Sequence, residues 1–350
     1  MTTENKKTAA YQHHQQEGLL LNANENSEGL PAVVLEEFME RLPQLQLNRY
    51  PDDDCTSLRQ AYARYLGVHP DQILVGNGSD QMLQLLISAF ISSKSRLLTV
   101  TPDFSMYDFY ALSYEGTMCK YPILEGEKVH FSLDEFIHQA RDLKPGLILF
   151  SSPNNPTGKQ MSNEDLLKLC WAVAPIPVAV DEAYVEFADH SALQILNQTD
   201  NLYITRTLSK AYSLAGARVG FLISTARNIE RLRPYKVVYS VNTLSMALAE
   251  CTLAHADLFE DMAKKTIAER ERLAGEYAKL PGITVLPSKA NFLCLVTVPK
   301  VLEKLKAAFE ERKIMLRWYE GKPYVRVTVG TPEENEQVLD IFKACTAAED

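Results

Sequence analysis

The sequence predicts an α/β fold: a large domain with a mostly parallel sheet flanked by helices, then a smaller α+β domain. Three observations carry this. Short apolar runs at 73–75, 96–100, 147–150 and 178–180 are each followed by a polar loop and then by helical spacing. That alternation marks strands buried on both faces. After Met246 the pattern changes to long helical periodicity and then to short strands mixed with helices. The expected organisation is an N-terminal arm (1–28), a large domain (29–245) and a small domain (246–350) that packs with the N-terminal segment.

Taken in order, residues 1–17 are polar, and Leu19-Leu20-Leu21 leads into the polar cluster Asn22-Ala23-Asn24-Glu25-Asn26. Apolar residues at 34, 35, 38, 39 and 42 predict a helix over 31–42. Asn48-Arg49-Tyr50-Pro51-Asp52 reads as a turn, and Thr56 as the cap of a helix that stops at Gly67. The run at 73–75 enters Gly76-Asn77-Gly78-Ser79-Asp80 and a helix over 81–90. Strands at 202–204 and 220–223 bracket the segment from Thr205 to Val219. One helix is expected over 246–280, closed by Pro281-Gly282. Strands follow at 292–296, 314–316 and 324–329, with helices near 300–312 and 333–346.

Composition narrows the classes. With 46% apolar and 23% charged residues the chain is globular, and a net charge of -9 argues against nonspecific nucleic-acid binding. The six cysteines are scattered with no CxxC pair, which fits reduced thiols in the cytoplasm and no metal site. No signal peptide or membrane span is expected. His13-His14 reads as solvated, since adjacent residues point apart.

The chemistry centres on Thr207-Leu208-Ser209-Lys210, with Arg218 eight positions on. A buried lysine near cations loses its proton and attacks an aldehyde, while Thr207, Ser209 and Arg218 offer donors to a phosphate. An aldehyde and a phosphate together describe pyridoxal 5'-phosphate. In a parallel sheet, ligands bind at the carboxyl ends of the strands, where the other polar loops also fall. Gly78, Ser79 and Asp80 open a helix whose N-terminus suits a phosphate, although an ordinary glycine turn reads equally well. Asp181 suits a protonated pyridine nitrogen, with Tyr184 and Asn155 on the ring oxygen and Tyr107 stacked on the ring. Singly, each has a plain structural role: Asp181 a helix cap, Tyr184 and Tyr107 core aromatics, Asn155 turn chemistry.

The ordered set resembles the fold-type I aminotransferases that depend on pyridoxal phosphate, and within them the histidinol-phosphate aminotransferases. Ser152-Pro153-Asn154-Asn155-Pro156-Thr157-Gly158, Asp181-Glu182-Ala183-Tyr184 and Thr207-Leu208-Ser209-Lys210-Ala211-Tyr212 with Arg218 carry the resemblance. It implies that Lys210 links to the cofactor aldehyde and later shuttles the proton. It implies a homodimer with active sites at the interface, where Tyr50 reaches the partner's cofactor phosphate. It also implies a small-molecule amino donor and a 2-oxo acid acceptor. Arg326 would take the substrate α-carboxylate and Arg317 the phosphate of histidinol phosphate; the plain role of Arg317 is a surface ion pair. Tyr11 and Asn22 fall in segments similar to the part that closes over substrate.

The sequence departs from the family in three places. It has Gln81 where Glu is usual, Ser27 where Pro is usual, and Tyr212-Ser213 where Phe-Gly is common. Neighbouring activities on the same cofactor site are an aromatic or broad-range aminotransferase and a threonine-phosphate decarboxylase. A cofactor-binding regulatory protein would be expected to carry a fused DNA-binding segment, and residues 1–20 are too short and insufficiently basic for one.

Overall fold

A computed structural model describes residues 17–347, so the expectations for Tyr11 and His13-His14 lie outside the described residues. A short strand β1 (Leu19–Leu20) precedes helices α1 (Ala32–Arg41) and α2 (Thr56–Leu66). The large sheet is then built by β2 (Ile73–Asn77), α3 (Gly78–Phe90), β3 (Arg96–Thr101), α4 (Met106–Ser113) and β4 (Thr117–Pro122). A small hairpin, β5 (Leu124–Glu125) with β6 (Lys128–Val129), leads to α5 (Leu133–Leu143). Construction continues through β7 (Leu147–Ser151), α6 (Asn163–Val173), β8 (Val178–Asp181), β9 (Leu202–Thr207) and β10 (Val219–Ile223). After α7 (Ala226–Leu232) come α8 (Thr243–Ala254) and α9 (Ala256–Tyr277). The remainder is β11 (Ile283–Leu286), β12 (Phe292–Thr297), α10 (Pro299–Glu311), β13 (Ile314–Met315), β14 (Arg317–Trp318), β15 (Tyr324–Thr328) and α11 (Pro332–Thr346).

The seven-stranded sheet has the order β2-β10-β9-β8-β7-β3-β4, and β10 alone runs against its neighbours. Its strands read as unbroken apolar runs because both faces are covered. Ile148 and Phe150 enter the core on one face, and Leu147 and Leu149 the core on the other. A second, antiparallel sheet, β11-β12-β15-β14, builds a separate core with α10 and α11, and β1 pairs in parallel with β13 beside it.

Three local readings are corrected. The expected helix over 246–280 is two helices broken at His255, whose ring bonds Glu37 at 3.0 Å. The break lets α8 lie on α1 and α2, while α9 crosses from one core to the other: Phe259 and Met262 sit in the large core, Leu273 and Tyr277 in the small one. Thr56 is not the cap of α2. Its N–H donates to the Asp52 carboxylate at 2.7 Å, and the Thr56 side chain first, then this N–H, hold the Asp52 carboxyl below its usual range. The helix after β2 starts at Gly78, three residues earlier than its apolar spacing indicates.

Beneath the sheet lies a buried charge cluster. Arg206 on β9 bonds Glu182 at 2.9 Å, and Glu182 also accepts from Ser191 and from the Ala192 N–H. Glu186 is close to the same guanidinium, but its buried Oε2 has no hydrogen-bond partner. One guanidinium cannot neutralise two carboxylates, so burial pushes Glu186 from 4.5 to about 7, with Arg206 opposing. A raised folded-state value contributes stability that is complete below the unfolded value and is lost as pH rises through about 7. Glu186→Gln should therefore melt above the parent at pH 8, by on the order of 1–3 kcal/mol, with the difference closing towards pH 5. Thermal melts at the two pH values check this; a gap independent of pH would refute it.

Candidate active site

The carboxyl ends of the parallel strands open onto a cavity of about 600 Å³, large enough for a cofactor and a small substrate. Register sets its floor. Ser151 on β7, Asp181 on β8 and Thr205 on β9 stand in one row across three strands. Asp181 is buried and accepts from the Thr205 hydroxyl and the Tyr107 phenol, each at 2.9 Å. Burial still pushes its carboxyl up to about 6, because among the described residues its direct partners are neutral donors. A protonated pyridine nitrogen is the partner such a carboxylate suits.

Lys210 follows β9, and its Nζ donates to the Ala23 carbonyl at 2.7 Å. Burial, then the charge of Arg326, brings its amine down to about 8, with a smaller push from Arg218. Near neutral pH a useful fraction is the unprotonated nucleophile.

The phosphate end is shaped by backbone. No side chain caps the first turn of α3, and the Asn77 N–H is taken by Gln81 Oε1 at 2.7 Å. Gln81 thus makes as a neutral acceptor the bond that the more usual Glu would offer. Gly220 on β10 lets that helix start sit flush against the sheet: a Cβ there would lie 2.1 Å from the Ser79 nitrogen. Gly78 has φ +76°, and a side chain on it would meet the Arg218 guanidinium. Arg218 itself donates to Asp80 at 3.0 Å and to Ser209 at 3.3 Å, and Thr207 bonds Ser209 at 2.8 Å. Uncapped amides, two hydroxyls and a guanidinium form an anion cup.

On the opposite wall, β14 and β15 place Arg317 directly across from Arg326. Arg326 is buried, donates to Asn155 Oδ1 at 2.6 Å and to the Asn22 carbonyl, and lies over the Phe292 ring at 5.3 Å. Arg317 lies over Tyr319 at 5.7 Å at the cavity wall. Like charges opposite one another in a sheet are unfavourable, and both arginines line the cavity.

Of the described residues proposed from the sequence, all line this cavity except Tyr50 and Gly78, and Gly78 lies beneath Arg218. Tyr50 is 84% exposed and stacks on Tyr239, with ring centroids 4.9 Å apart. Asn22 contributes its carbonyl. Asp181 closes β8, and Tyr184 precedes a short 3-10 segment at Val185–Phe187. Sequence reasoning missed two polar residues. Asp103 accepts from the Ser151 N–H at 3.0 Å, the Ser151 hydroxyl and the Phe104 N–H, and burial pushes it up to about 8 against those donors. Its position at the end of β3, like that of Asp181 on β8, was the available signal. Asn24 is 1% exposed and donates to the Tyr184 oxygen at 2.9 Å.

A buried carboxylate, a lysine of lowered basicity and an anion cup, all at the carboxyl edge of a parallel sheet, define a transferase that carries its substrate on an aldehyde cofactor. Residues 16–342 match the family model described as aminotransferase class I and II, and the chain belongs to that family, whose cofactor is pyridoxal 5'-phosphate. It is 35% identical over 327 residues to a histidinol-phosphate aminotransferase of Thermoanaerobacter pseudethanolicus, covering 92% of each chain. Among solved structures it resembles the histidinol-phosphate aminotransferase of Sinorhizobium meliloti in complex with pyridoxal-5'-phosphate (TM-score 0.84, 22% identity, 94% of this chain and 90% of that one). It also resembles the L-threonine-O-3-phosphate decarboxylase of Porphyromonas gingivalis (TM-score 0.79, 24% identity, 93% and 98%). At these identities the structural likenesses establish the fold, which is that of fold-type I.

The residues present fit the cofactor: Asp181 suits its ring nitrogen, the α3 start with Ser209 and Arg218 its phosphate, and Lys210 its aldehyde. Because only the neutral amine attacks, capture of pyridoxal phosphate by the apoprotein should quicken about tenfold per pH unit below about 8 and level off above it. Stopped-flow absorbance measures this directly, and a flat profile between pH 6 and 9 would refute the assignment.

Proposed function

We propose that this chain transfers an amino group between the glutamate and 2-oxoglutarate pair and the histidinol phosphate and imidazole-acetol phosphate pair. The observation that carries the proposal is the cross-strand pair Arg317 and Arg326 on the wall facing Lys210. Two guanidiniums serve two anions: Arg326 takes the α-carboxylate of glutamate, and Arg317 the phosphate of histidinol phosphate. The similarity to histidinol-phosphate aminotransferases over most of both chains supports the same reading.

When bound, the cofactor supplies a ring that takes up the electron pair left as a proton departs from the carbon bearing the amine. The protein does the rest. Asp181 would keep the ring nitrogen protonated, Tyr184 and Asn155 would hold the ring oxygen, and Tyr107 would pack against the ring. Gly78, Ser79, Asp80, Thr207, Ser209 and Arg218 hold the phosphate. Lys210 Nζ would hold the cofactor's aldehyde and, when free as the neutral amine, would be placed to take up and return a proton at the substrate carbon. Asn22, and Tyr11 in the undescribed arm, close over the substrate.

The proposal includes a homodimer in the cytoplasm and no metal. Tyr50, Tyr235, Val237, Val238 and Tyr239 are exposed on one apolar face, joined where Lys236 and the Tyr239 N–H bond Asp53. A second copy covering that face would bring Tyr50 to the partner's cofactor phosphate. The six free cysteines suit a reducing compartment.

Mixing the holoenzyme with single amino donors tests the substrate. Histidinol phosphate and glutamate should bleach the cofactor band rapidly and phenylalanine weakly. Equal bleaching by phenylalanine would favour a broad-range enzyme, and carbon dioxide release from threonine phosphate a decarboxylase. Arg317→Ala should raise KM for histidinol phosphate at least tenfold while changing KM for glutamate little. Lys210→Ala should abolish turnover, and double-reciprocal plots should run parallel. Sedimentation should give a dimer, and Tyr50→Ala should weaken cofactor binding; a monomer with full activity would refute that part.

A further inference from the structure

We infer that Asn24 is a positioning residue that orients the Tyr184 hydroxyl and so sets how strongly the site stabilises the cofactor's ring oxygen. The inference rests on the proposed role of Tyr184. Asn24 lies in a stretch that reads as a surface polar cluster, yet it is 1% exposed and all of its polar groups are engaged. Its backbone N–H donates to Thr328 Oγ1 at 3.2 Å, and its carbonyl accepts from Asn291 Nδ2 at 3.0 Å. Its Oδ1 accepts from the Thr328 hydroxyl at 3.0 Å, and its Nδ2 donates to the Tyr184 oxygen at 2.9 Å.

The donor directions follow from this closed set. Thr328 Oγ1 already accepts the Asn24 N–H, so its own proton needs an acceptor, and Asn24 Oδ1 is the one beside it. That contact fixes which end of the carboxamide faces which way: the oxygen faces β15, and the amide hydrogens face Tyr184. With a lone pair of Tyr184 engaged by an N–H, its own proton points into the cavity. Accepting one hydrogen bond also makes the phenol a stronger donor. The Tyr184 ring is held edge-on to Phe292 at 5.1 Å, so the hydroxyl cannot swing away to another partner. Backbone geometry supports a deliberate placement: Asn24 has φ +56°, a left-handed conformation that asparagine tolerates better than most residues.

The consequence is electrostatic. A strong donor on the ring oxygen lowers the negative charge felt by the neighbouring Lys210 nitrogen. It thereby lowers the pH at which that nitrogen, joined to the cofactor, gives up its proton. Weakening the donor raises that pH.

The test is a spectroscopic pH titration of the bound cofactor in the holoenzyme, with no substrate present. Asn24→Gly removes the carboxamide and keeps the left-handed backbone accessible. It should raise the midpoint by about 0.5–1 pH unit, the size of one hydrogen bond. Tyr184→Phe should raise it further, and adding Asn24→Gly to Tyr184→Phe should cause no additional shift. Thr328→Val, which frees the carboxamide to turn, should shift the midpoint in the same direction, and Thr328→Ser should restore it. An unchanged midpoint in Asn24→Gly, or an equal shift with and without Tyr184, would overturn the inference. If Tyr184→Phe itself leaves the midpoint unmoved, the role of Tyr184 fails, and this inference fails with it.

Discussion

The structure depends on one unfavourable burial, that of the Asp181 carboxylate at the end of the central strand. Its direct partners are the neutral hydroxyls of Thr205 and Tyr107. Those bonds recover part of the desolvation cost, but burial still wins and its carboxyl rises to about 6. Across the same cavity the Lys210 amine meets the complementary problem, and burial with the charge of Arg326 brings it down to about 8. Each group is destabilised in its charged form, and each would suit one end of the proposed cofactor arrangement. Both groups are held in place by a sheet whose cores fill both faces, and paired shifts of this kind in one cavity are what a ligand site is built from.

Much of this was legible because it follows from strand polarity. Largely apolar runs of three to five residues leading into Asp181, Ser151 or Thr101 announce parallel strands, and parallel strands deliver every following loop to one edge. From that rule alone, Asn155, Asp181, Lys210 and Arg218 belong together. Asp103 obeys the same rule at the end of β3 and was passed over because the loop offered a more conspicuous aromatic in Tyr107.

What could not be read depends on register or tertiary plugging. Arg317 faces Arg326 because the chain reverses through Tyr319 to Pro323. The turn residues Gly321 and Pro323 hint at a hairpin but do not fix its alignment, and a shift of one residue would send Arg317 to the other face. Asn22 to Asn26 looks like solvated polar chain, yet the cavity wall buries Asn24, satisfied on every side, and half-buries Asn22, Ala23 and Asn26. The break at His255 carries no Gly or Pro, and helical periodicity runs through it. Only the two separate surfaces that α8 and α9 must cover explain it.

The departures from the family pattern at Tyr212 and Ser213 become intelligible as a coupled pair. Ser213 stands where glycine is common and has φ +55°, a conformation that costs a side chain about 1–2 kcal/mol. Its hydroxyl donates to the Glu28 carbonyl at 2.9 Å, a bond that glycine cannot make and that offsets a comparable amount. Two residues earlier, the Ala211 carbonyl accepts from Asn26 at 3.1 Å, and Lys210 itself donates to Ala23. Tyr212, in place of the usual phenylalanine, adds a hydroxyl bond to Tyr65 at 2.8 Å. The loop that carries Lys210 is thus tied to residues 23–28 on one side and to α2 on the other. Strain at one backbone position is balanced by contacts that also fix the N-terminal segment against the cavity. The segment that positions Tyr184 and the loop that positions Lys210 are in this way one mechanical unit.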